Sequence, residues 1–234
     1  MTDHPANSTA RKIVWFWVIL TLRGILLCGS RARVLPPLAP LPESGGFILA
    51  SNHISHFDPP LLAVHLPRPI DWLAMSELYS KSWSARFFRS VNAIPIQRGA
   101  PDRAAIREAV SRLKAGRVVG IFPEGGIRDG EASLLAGRPP LRGAALLARL
   151  SGAPVIPCAI VGSDRLYNRK HWRPGHRAPV WIATGHPLPP VNSDDEFSAH
   201  LVDAMRVLRE RILTLGHATK DDLPKSPQER MRET

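Results

Sequence analysis

From residue 46 to residue 216, short apolar runs alternate with longer amphipathic segments. The apolar runs are bounded by glycine, proline or charged residues, as buried strands are. The candidate strands are Phe47–Ala50, Asp71–Met75, Val118–Phe122, Val155–Val161 and Val180–Thr184. The segments with helical spacing are Pro59–His65, Ser82–Ser90, Asp102–Ala115, Leu141–Leu150 and Glu196–Leu215. Strands separated by helices predict one α/β domain over residues 46–216, with a mostly parallel or mixed sheet flanked by helices.

An apolar segment precedes this domain. Residues 13–28 read IVWFWVILTLRGILLC and follow two basic residues. The run is shorter than the roughly 20 apolar residues that a spanning helix needs, and Arg23 would be costly near the bilayer centre. We therefore predict that residues 1–29 contain a helix that lies in the membrane interface. A signal peptide and a buried core helix are the alternatives, although a small-residue cleavage site is missing.

The remaining segments are polar or rich in proline. Residues 30–45 include a Pro-rich stretch and are predicted to be a linker. Residues 217–234 are polar and lack periodicity, which predicts disorder. The two cysteines, Cys28 and Cys158, are far apart in the sequence, so neither a disulfide framework nor a zinc site is indicated, and a reducing compartment is expected.

The formal net charge is +11, which implies an acidic partner: nucleic acid, an anionic bilayer, or an anionic substrate or protein. The cations are concentrated locally. The stretch from Lys81 to Arg117 holds nine Lys or Arg residues against only Asp102 and Glu108. This stretch is a candidate surface for anionic groups.

The segment Asn52-His53-Ile54-Ser55-His56-Phe57-Asp58-Pro59 directly follows the first candidate strand, so His53 stands at a strand end, where α/β folds commonly place catalytic groups. Residues five apart do not share a helix face, so a pair between His53 and Asp58 requires a turn. A carboxylate on one imidazole nitrogen raises the basicity of the other, which can then deprotonate an alcohol. An ordinary loop histidine, with Asp58 capping the next helix ahead of Pro59, is the alternative.

Two further segments offer groups that bind anions. In Ile94-Pro95-Ile96-Gln97-Arg98-Gly99, an arginine beside a glycine suits phosphate or carboxylate, although Arg98 could equally be a solvated surface residue. In Ile121-Phe122-Pro123-Glu124-Gly125-Gly126, the glycines allow backbone N–H groups to approach an anion closely, and a simple tight turn is the alternative. The run Val155–Ile160 is best explained by core packing.

In this order, these four segments resemble the glycerolipid acyltransferase family of the 1-acyl-glycerol-3-phosphate type, whose blocks are N-H-x4-D, an apolar run ending in Arg-Gly, F-P-E-G and a V-I-P strand. The resemblance covers roughly residues 47–161. It implies an enzyme of phospholipid biosynthesis that moves a fatty acyl group from acyl-CoA or acyl-carrier protein to the hydroxyl of a lysophosphatidic acid-like acceptor. Such an enzyme would be peripheral or monotopic on the cytoplasmic face of the membrane.

The resemblance also implies roles for individual residues. His53 is the general base and Asp58 its partner, and Arg98 binds the acceptor phosphate. The residues implied on the substrate side are Asn52, Arg98, Gly99, Glu124, Gly125, Gly126 and Arg128. No metal or redox cofactor is implied, since the acyl donor is a co-substrate. The family usually continues the third block with Thr-Arg, whereas this chain has Gly126-Ile127 and then Arg128, which leaves another lysolipid acceptor open.

Other functions have less support in the sequence. It has no phosphate-binding G-x-x-x-x-G-K-[ST] loop, no G-x-S-x-G elbow and no H-E-x-x-H motif. His53 and His56 lack a third ligand at metal-binding spacing. A non-catalytic basic module that binds membranes or nucleic acid remains an alternative. The basic stretch has few aromatic residues and no recognisable nucleic-acid motif, so we expect a lysophospholipid, an acyl thioester and an anionic membrane surface as partners, and no nucleic acid.

Overall fold

The structure is a computed structural model that describes residues 9–97, 102–189 and 192–233. Its strands are β1 (Ser30–Val34), β2 (Phe47–Ser51), β3 (Ile70–Met75), β4 (Ile94–Ile96), β5 (Val118–Ile121), β6 (Val155–Val161) and β7 (Ala178–Thr184). Its α-helices are α1 (Thr9–Gly29), α2 (Asp58–His65), α3 (Ser82–Ser90), α4 (Arg103–Lys114), α5 (Arg142–Ser151), α6 (Asp194–Thr214) and α7 (Pro227–Arg232). Every candidate strand and helix of residues 46–216 is present, within a few residues at each end.

The strands form one mixed sheet in the order β1-β7-β6-β2-β5-β3-β4. Strand β2 lies in the middle and pairs in parallel with both β5 and β6. Every pairing is parallel except that of β6 with β7. The predicted α/β class with a mixed sheet is therefore confirmed, and the carboxyl ends of β2, β5 and β6 meet at one edge.

Helices cover both faces of the sheet, and each face has its own apolar core. Helices α4, α5 and α6 pack on one face, while α1 and α2 contribute to the core on the other. Helix α6 buries one stripe at helical spacing, which is why its period is visible in the sequence. The stripe consists of Phe197, Leu201, Met205, Leu208 and Ile212.

Two strands are absent from the sequence prediction. Strand β1 lies inside the segment predicted as a linker and pairs in parallel with β7 at the sheet edge. It carries Arg31 and Arg33 with exposed side chains, so it lacks the apolar run of a buried strand. Strand β4 has only three residues. The linker is therefore corrected to the residues between β1 and β2.

The C-terminal segment, predicted to be disordered, is ordered as far as residue 233. It forms a 3-10 turn, Lys220–Asp222, followed by α7. The Arg230 guanidinium donates from Nε to Oδ2 of Asp164 at 2.6 Å, and both side chains are fully buried. The prediction of disorder was wrong because a partner 66 residues away, rather than an apolar face, fixes this polar segment.

Helix α1 confirms that the N-terminal apolar run is helical. Leu26 is buried in the core, whereas Phe16, Trp17 and Leu20 are about half exposed or more. Within the described part of the chain, no helix is both long and apolar enough to cross a bilayer. The location of α1 in a membrane interface stays a prediction.

Part of the basic stretch serves the fold. Asp71, near the start of β3, is buried and receives two hydrogen bonds from Arg117, at 2.6 Å from Nε and 2.5 Å from Nη2. Arg112 Nη1 lies 3.2 Å from the same carboxylate. These two arginines neutralise a buried charge, so they are not part of a free cationic surface.

Candidate active site

Two sequence motifs meet at the carboxyl edge of the sheet. Strands β2 and β5 are parallel neighbours, so the residues that follow them leave the sheet side by side. The backbone N–H of His53 donates to Glu124 Oε2 at 2.5 Å. The two segments are 71 residues apart in the chain, and parallel strand pairing brings them together.

His53 and Asp58 are in direct contact. The distance from His53 Nδ1 to Asp58 Oδ2 is 2.8 Å. The chain turns between them, with the Asp58 N–H donating to the Ser55 carbonyl at 3.1 Å. The same Oδ2 also accepts from the backbone N–H groups of Ile54 and Ser55, at 2.7 and 2.8 Å. The structure therefore contains the turn that a pair at this spacing requires.

Asp58 does not cap the following helix, which corrects the alternative interpretation of this residue. Phe57 occupies the N-cap position, and Asp58 is the first residue of α2. The Asp58 side chain is fully buried and faces back into the loop toward His53. The second carboxylate oxygen, Oδ1, accepts a hydrogen bond from the Ser163 hydroxyl. Ser163 follows β6 and belongs to none of the motifs visible in the sequence.

An aromatic stack supports the imidazole of His53. The Phe122 ring lies parallel to it with ring centroids 4.0 Å apart, and Trp72 stacks on Phe122 at 4.6 Å. Trp72 pairs in register with Gly120 of β5. A Cβ atom at Gly120 would lie 2.5 Å from the Trp72 ring, so only glycine leaves room for this ring position. The stack fixes the plane of the imidazole, and the hydrogen bond to Asp58 fixes its rotation.

Asn52 has a structural contact that the motif did not indicate. Its side chain is fully buried, and its Nδ2 donates to the Ile160 carbonyl at 2.9 Å. Its Oδ1 accepts from the Ile160 N–H at 2.8 Å. The amide extends the pairing of β2 with β6 beyond the last residue of β2 and so holds the segment before His53. The assignment of Asn52 to the substrate side stays a prediction.

Glu124 also faces inward. Its Oε1 accepts from the Leu134 N–H at 2.5 Å and from the Ser133 hydroxyl at 3.2 Å, while Oε2 accepts from His53. Burial raises the pKa of Glu124 to about 7 despite these hydrogen bonds. Both oxygens are engaged by groups of the protein, and the assignment of Glu124 to the substrate side stays a prediction. Glu124 fastens the His53 backbone to the loop after β5.

The residues after Glu124 lie close to the His53 loop. The Arg128 N–H donates to the His53 carbonyl at 2.8 Å, and the Arg128 side chain is exposed. Gly125 has φ +68°, a conformation that favours glycine, and is also exposed. Gly126 is half-buried. Arg98 and Gly99 lie outside the described residues, so their assignment stays a prediction, as does that of Arg128.

The second histidine of the motif is held separately. His56 Nδ1 lies 2.6 Å from the Tyr167 hydroxyl, which also accepts from the His56 N–H at 3.0 Å. Tyr167 belongs to the 3-10 turn Ser163–Tyr167, the segment that also bears Ser163. Within residues 9–97, 102–189 and 192–233, no group of three or more His, Cys, Asp or Glu side chains could hold a metal ion.

Comparison with known proteins places this arrangement in a family. The Acyltransferase family profile matches residues 37–161. A 1-acyl-sn-glycerol-3-phosphate acyltransferase of Bacillus subtilis (strain 168) is 32% identical over 146 residues, which make up 62% of this chain and 67% of that protein. The crystal structure of the 1-acyl-sn-glycerophosphate (LPA) acyltransferase, PlsC, from Thermotoga maritima has the same fold, with a TM-score of 0.65 at 23% identity. The match covers 94% of this chain and 86% of that one. The family match extends over more than half of the sequence and includes the segments that carry His53, Asp58 and Glu124, so the chain belongs to the acyltransferase family.

Proposed function

We propose that this acyltransferase moves a fatty acyl group from acyl-CoA or acyl-carrier protein to the hydroxyl of a lysophosphatidic acid-like acceptor, with His53 as the general base and Asp58 as its partner. The observation that carries this proposal is the 2.8 Å contact between His53 Nδ1 and Asp58 Oδ2 at the carboxyl edge of the sheet. The His53 side chain is partly exposed, whereas Asp58 is fully buried. The dyad therefore presents one ring nitrogen to a substrate and anchors the other.

The geometry suits direct transfer. Asp58 accepts a hydrogen bond from the Nδ1–H group of His53 and so holds the imidazole in the tautomer that leaves Nε2 as a proton acceptor. Nε2 takes the proton of the acceptor hydroxyl while its oxygen attacks the thioester carbonyl carbon. The C–S bond then breaks, and the thiolate takes the proton from the imidazolium as it leaves as a thiol. An ester and a thiol are formed, and no acyl-enzyme intermediate is needed.

Support for the acceptor comes from the relatives, which are named for 1-acyl-sn-glycerol-3-phosphate or LPA. Two cations are candidates for its phosphate: Arg98, by the family resemblance, and Arg128, whose exposed side chain lies beside the His53 loop. The departure at Gly126-Ile127 favours testing other lysolipids as well, because it lies next to Arg128.

An acceptor screen tests the proposal. The full chain is incubated with isotope-labelled acyl-CoA, or with acyl-carrier protein, and products are identified by mass spectrometry. The acceptors are lysophosphatidic acid, lysophospholipids with larger headgroups, and monoacylglycerol. We expect acylated lysophosphatidic acid from the wild type and almost none from His53→Ala. Equal product from both proteins contradicts the base assignment, and product only from a larger lysophospholipid reassigns the acceptor.

We further propose that α1 lies on an anionic lipid surface, because it exposes Phe16, Trp17 and Leu20 to solvent. Replacing Phe16 and Leu20 by Ser should reduce co-sedimentation with phosphatidylglycerol vesicles. Val207→Ser, which removes an exposed apolar side chain on α6, is the matched control and should leave sedimentation unchanged. If the α1 variant binds vesicles as well as the wild type in high salt, α1 is not the anchor.

A further inference from the structure

The carboxylate of Asp58 has a hydrogen-bond partner outside the H-x4-D motif. The Ser163 hydroxyl donates to Oδ1 of Asp58, while Oδ2 serves His53 and two backbone N–H groups. Ser163 is fully buried and follows Gly162, the residue after β6. Gly162 has a φ of +86°, and the chain turns there so that the Ser163 hydroxyl reaches Asp58. Both oxygens of the buried carboxylate are therefore fixed.

The next residue connects this turn to the C-terminal segment. Asp164 Oδ2 accepts from Arg230 Nε at 2.6 Å and from the Lys225 N–H at 3.0 Å. The rest of the Arg230 guanidinium donates within the same C-terminal segment, to backbone carbonyls such as that of Leu223 at 2.9 Å and to Oε1 of Glu233 at 2.8 Å. A fully buried ion pair thus joins the turn that bears Ser163 to α7.

Other contacts reinforce this connection. Arg165 Nη2 donates to Asp222 Oδ1 at 2.5 Å. Asn168 Nδ2 donates to the carbonyls of Arg230 and Glu233, at 3.0 and 2.6 Å. The C-terminal segment also accepts, at the Pro224 carbonyl, from the N–H of Gly130 in the loop after β5. Residues 217–233 therefore hold two of the loops that surround His53.

We propose that Ser163 is a positioning residue of the reaction: it holds the Asp58 carboxylate in the orientation that His53 requires, and residues 217–233 keep Ser163 in place. The inference rests on the proposed function, since it needs the dyad to act. Without Ser163, every described hydrogen bond to the carboxylate would end on Oδ2 and Oδ1 would be unrestrained, whereas bonds to both oxygens define the carboxylate plane. Hydrogen bonds to a charged group are the stronger class, so losing one matters.

Three serine variants test the role of Ser163. Ser163→Ala should lower kcat about tenfold with the KM of both substrates nearly unchanged, since hydrogen bonds to charged groups contribute on the order of tenfold or more. Ser163→Thr keeps the hydroxyl and should recover most of the loss. Ser30→Ala is the matched control, because Ser30 is also buried and donates to a carbonyl, that of Leu26, far along the chain from the dyad. It should leave kcat unchanged.

The split between kcat and KM, together with rescue by the threonine hydroxyl, is a result that a purely structural serine would not give. Rates are therefore compared per folded molecule, with each substrate varied separately. A kcat of Ser163→Ala within about twofold of wild type overturns the role of Ser163.

A double-mutant cycle tests the C-terminal segment. The combined variant Asp164→Asn, Arg230→Met removes both charges of this pair, so neither is left buried alone, and Glu233 keeps its contact with Lys225. It should lower kcat when it is introduced into the wild-type protein, and it should cause little further loss when it is introduced into Ser163→Ala. Additive losses overturn the claim that the segment acts through Ser163. Asn168→Ala gives a milder version of the same cycle if the paired variant does not fold, as judged by circular dichroism.

The outcome also separates this inference from the proposed function. If His53→Ala is inactive while Ser163→Ala is fully active, only the present inference fails. If His53→Ala retains activity, the dyad mechanism fails, and with it the positioning role of Ser163.

Discussion

Two buried aspartates lie at opposite ends of the sheet, and their surroundings differ in kind. Asp71, near the start of β3, is neutralised by the guanidinium groups of Arg117 and Arg112. Asp58, beyond the end of β2, is surrounded by two backbone N–H groups, the Ser163 hydroxyl and the imidazole of His53. Both side chains are almost inaccessible to water.

The difference decides what each carboxylate can do. A carboxylate paired with arginine is already compensated by a fixed positive charge. It therefore gives less electrostatic stabilisation to a group that becomes charged later. A carboxylate held by neutral donors is not already paired with a fixed cation, so under the proposed function it can stabilise an imidazolium at His53. The first arrangement stabilises the fold, and the second suits the proposed chemistry.

Substitutions in the pair formed by His53 and Asp58 should have the largest effect on activity. Asp58→Asn and His53→Ala should each lower kcat/KM by about 10² to 10⁴, the usual contribution of general-base catalysis. The fold should change little, because His53 lies in a partly exposed loop and asparagine has the shape of aspartate. Initial rates at saturating donor provide the measurement. Activity within about tenfold of wild type would falsify the assignment of the base.

Asp71→Asn tests whether the other buried aspartate stabilises the fold. It leaves two arginines near a neutral side chain and should lower the free energy of unfolding by about 3 to 5 kcal/mol, measured by urea denaturation. The kcat per folded molecule should stay within about twofold of wild type. Asp203→Asn is the control, since its ion pair with Arg206 is exposed and should be worth less than about 1 kcal/mol. A loss of kcat as large as that of Asp58→Asn would show that the two aspartates are not distinct in role.

Glu124 is another buried carboxylate, and like Asp58 it is held by N–H and O–H donors. Burial raises its pKa to about 7, so between its ordinary value of 4.5 and 7 the folded state binds more protons than the unfolded state. The free energy of unfolding should therefore fall as pH rises through this window, by roughly 1.4 kcal/mol per pKa unit. In Glu124→Gln this decline should be absent. Parallel stability curves for wild type and Glu124→Gln from pH 4.5 to 8 would contradict the raised pKa.

Arg98 tests whether a cation of the basic stretch serves the substrate rather than the fold. Arg98→Ala should lower kcat/KM for a phosphate-bearing acceptor about tenfold to a hundredfold, chiefly through KM, and Arg98→Lys should recover part of the loss. The KM of the acyl donor should change little. Arg86→Ala, from the exposed part of the same stretch on α3, is the matched control. If Arg98→Ala lowers kcat/KM equally for an acceptor that lacks phosphate, Arg98 does not bind the acceptor phosphate.

The central strands could be predicted because each is a run of buried apolar residues, as in β2 and β6. The edge strand β1 could not, since its exposed arginines hide the strand pattern. The C-terminal segment was missed for a related reason: the buried pair of Arg230 with Asp164 is an electrostatic contact over a long sequence separation, which local periodicity does not show.

The site shows the same division. The pairing of His53 with Asp58 is local and could be predicted from the motif. The contacts that orient it come from elsewhere in the chain: Ser163 after β6, and Trp72 through its stack on Phe122. Their role depends on which strands are neighbours, and an order such as β6-β2-β5-β3 cannot be read from a single sequence.

The contact between Gly120 and Trp72 has an evolutionary consequence. A side chain at position 120 would overlap the indole ring, which in turn supports Phe122 and the imidazole of His53. Position 120 is therefore not free to vary alone. The added Cβ would also lie 2.6 Å from Cγ2 of Ile70. Among related chains with the same strand pairing, a residue larger than glycine at this position should occur together with smaller side chains in place of Trp72 and Ile70. Such paired exchanges would mark separate lineages within the family.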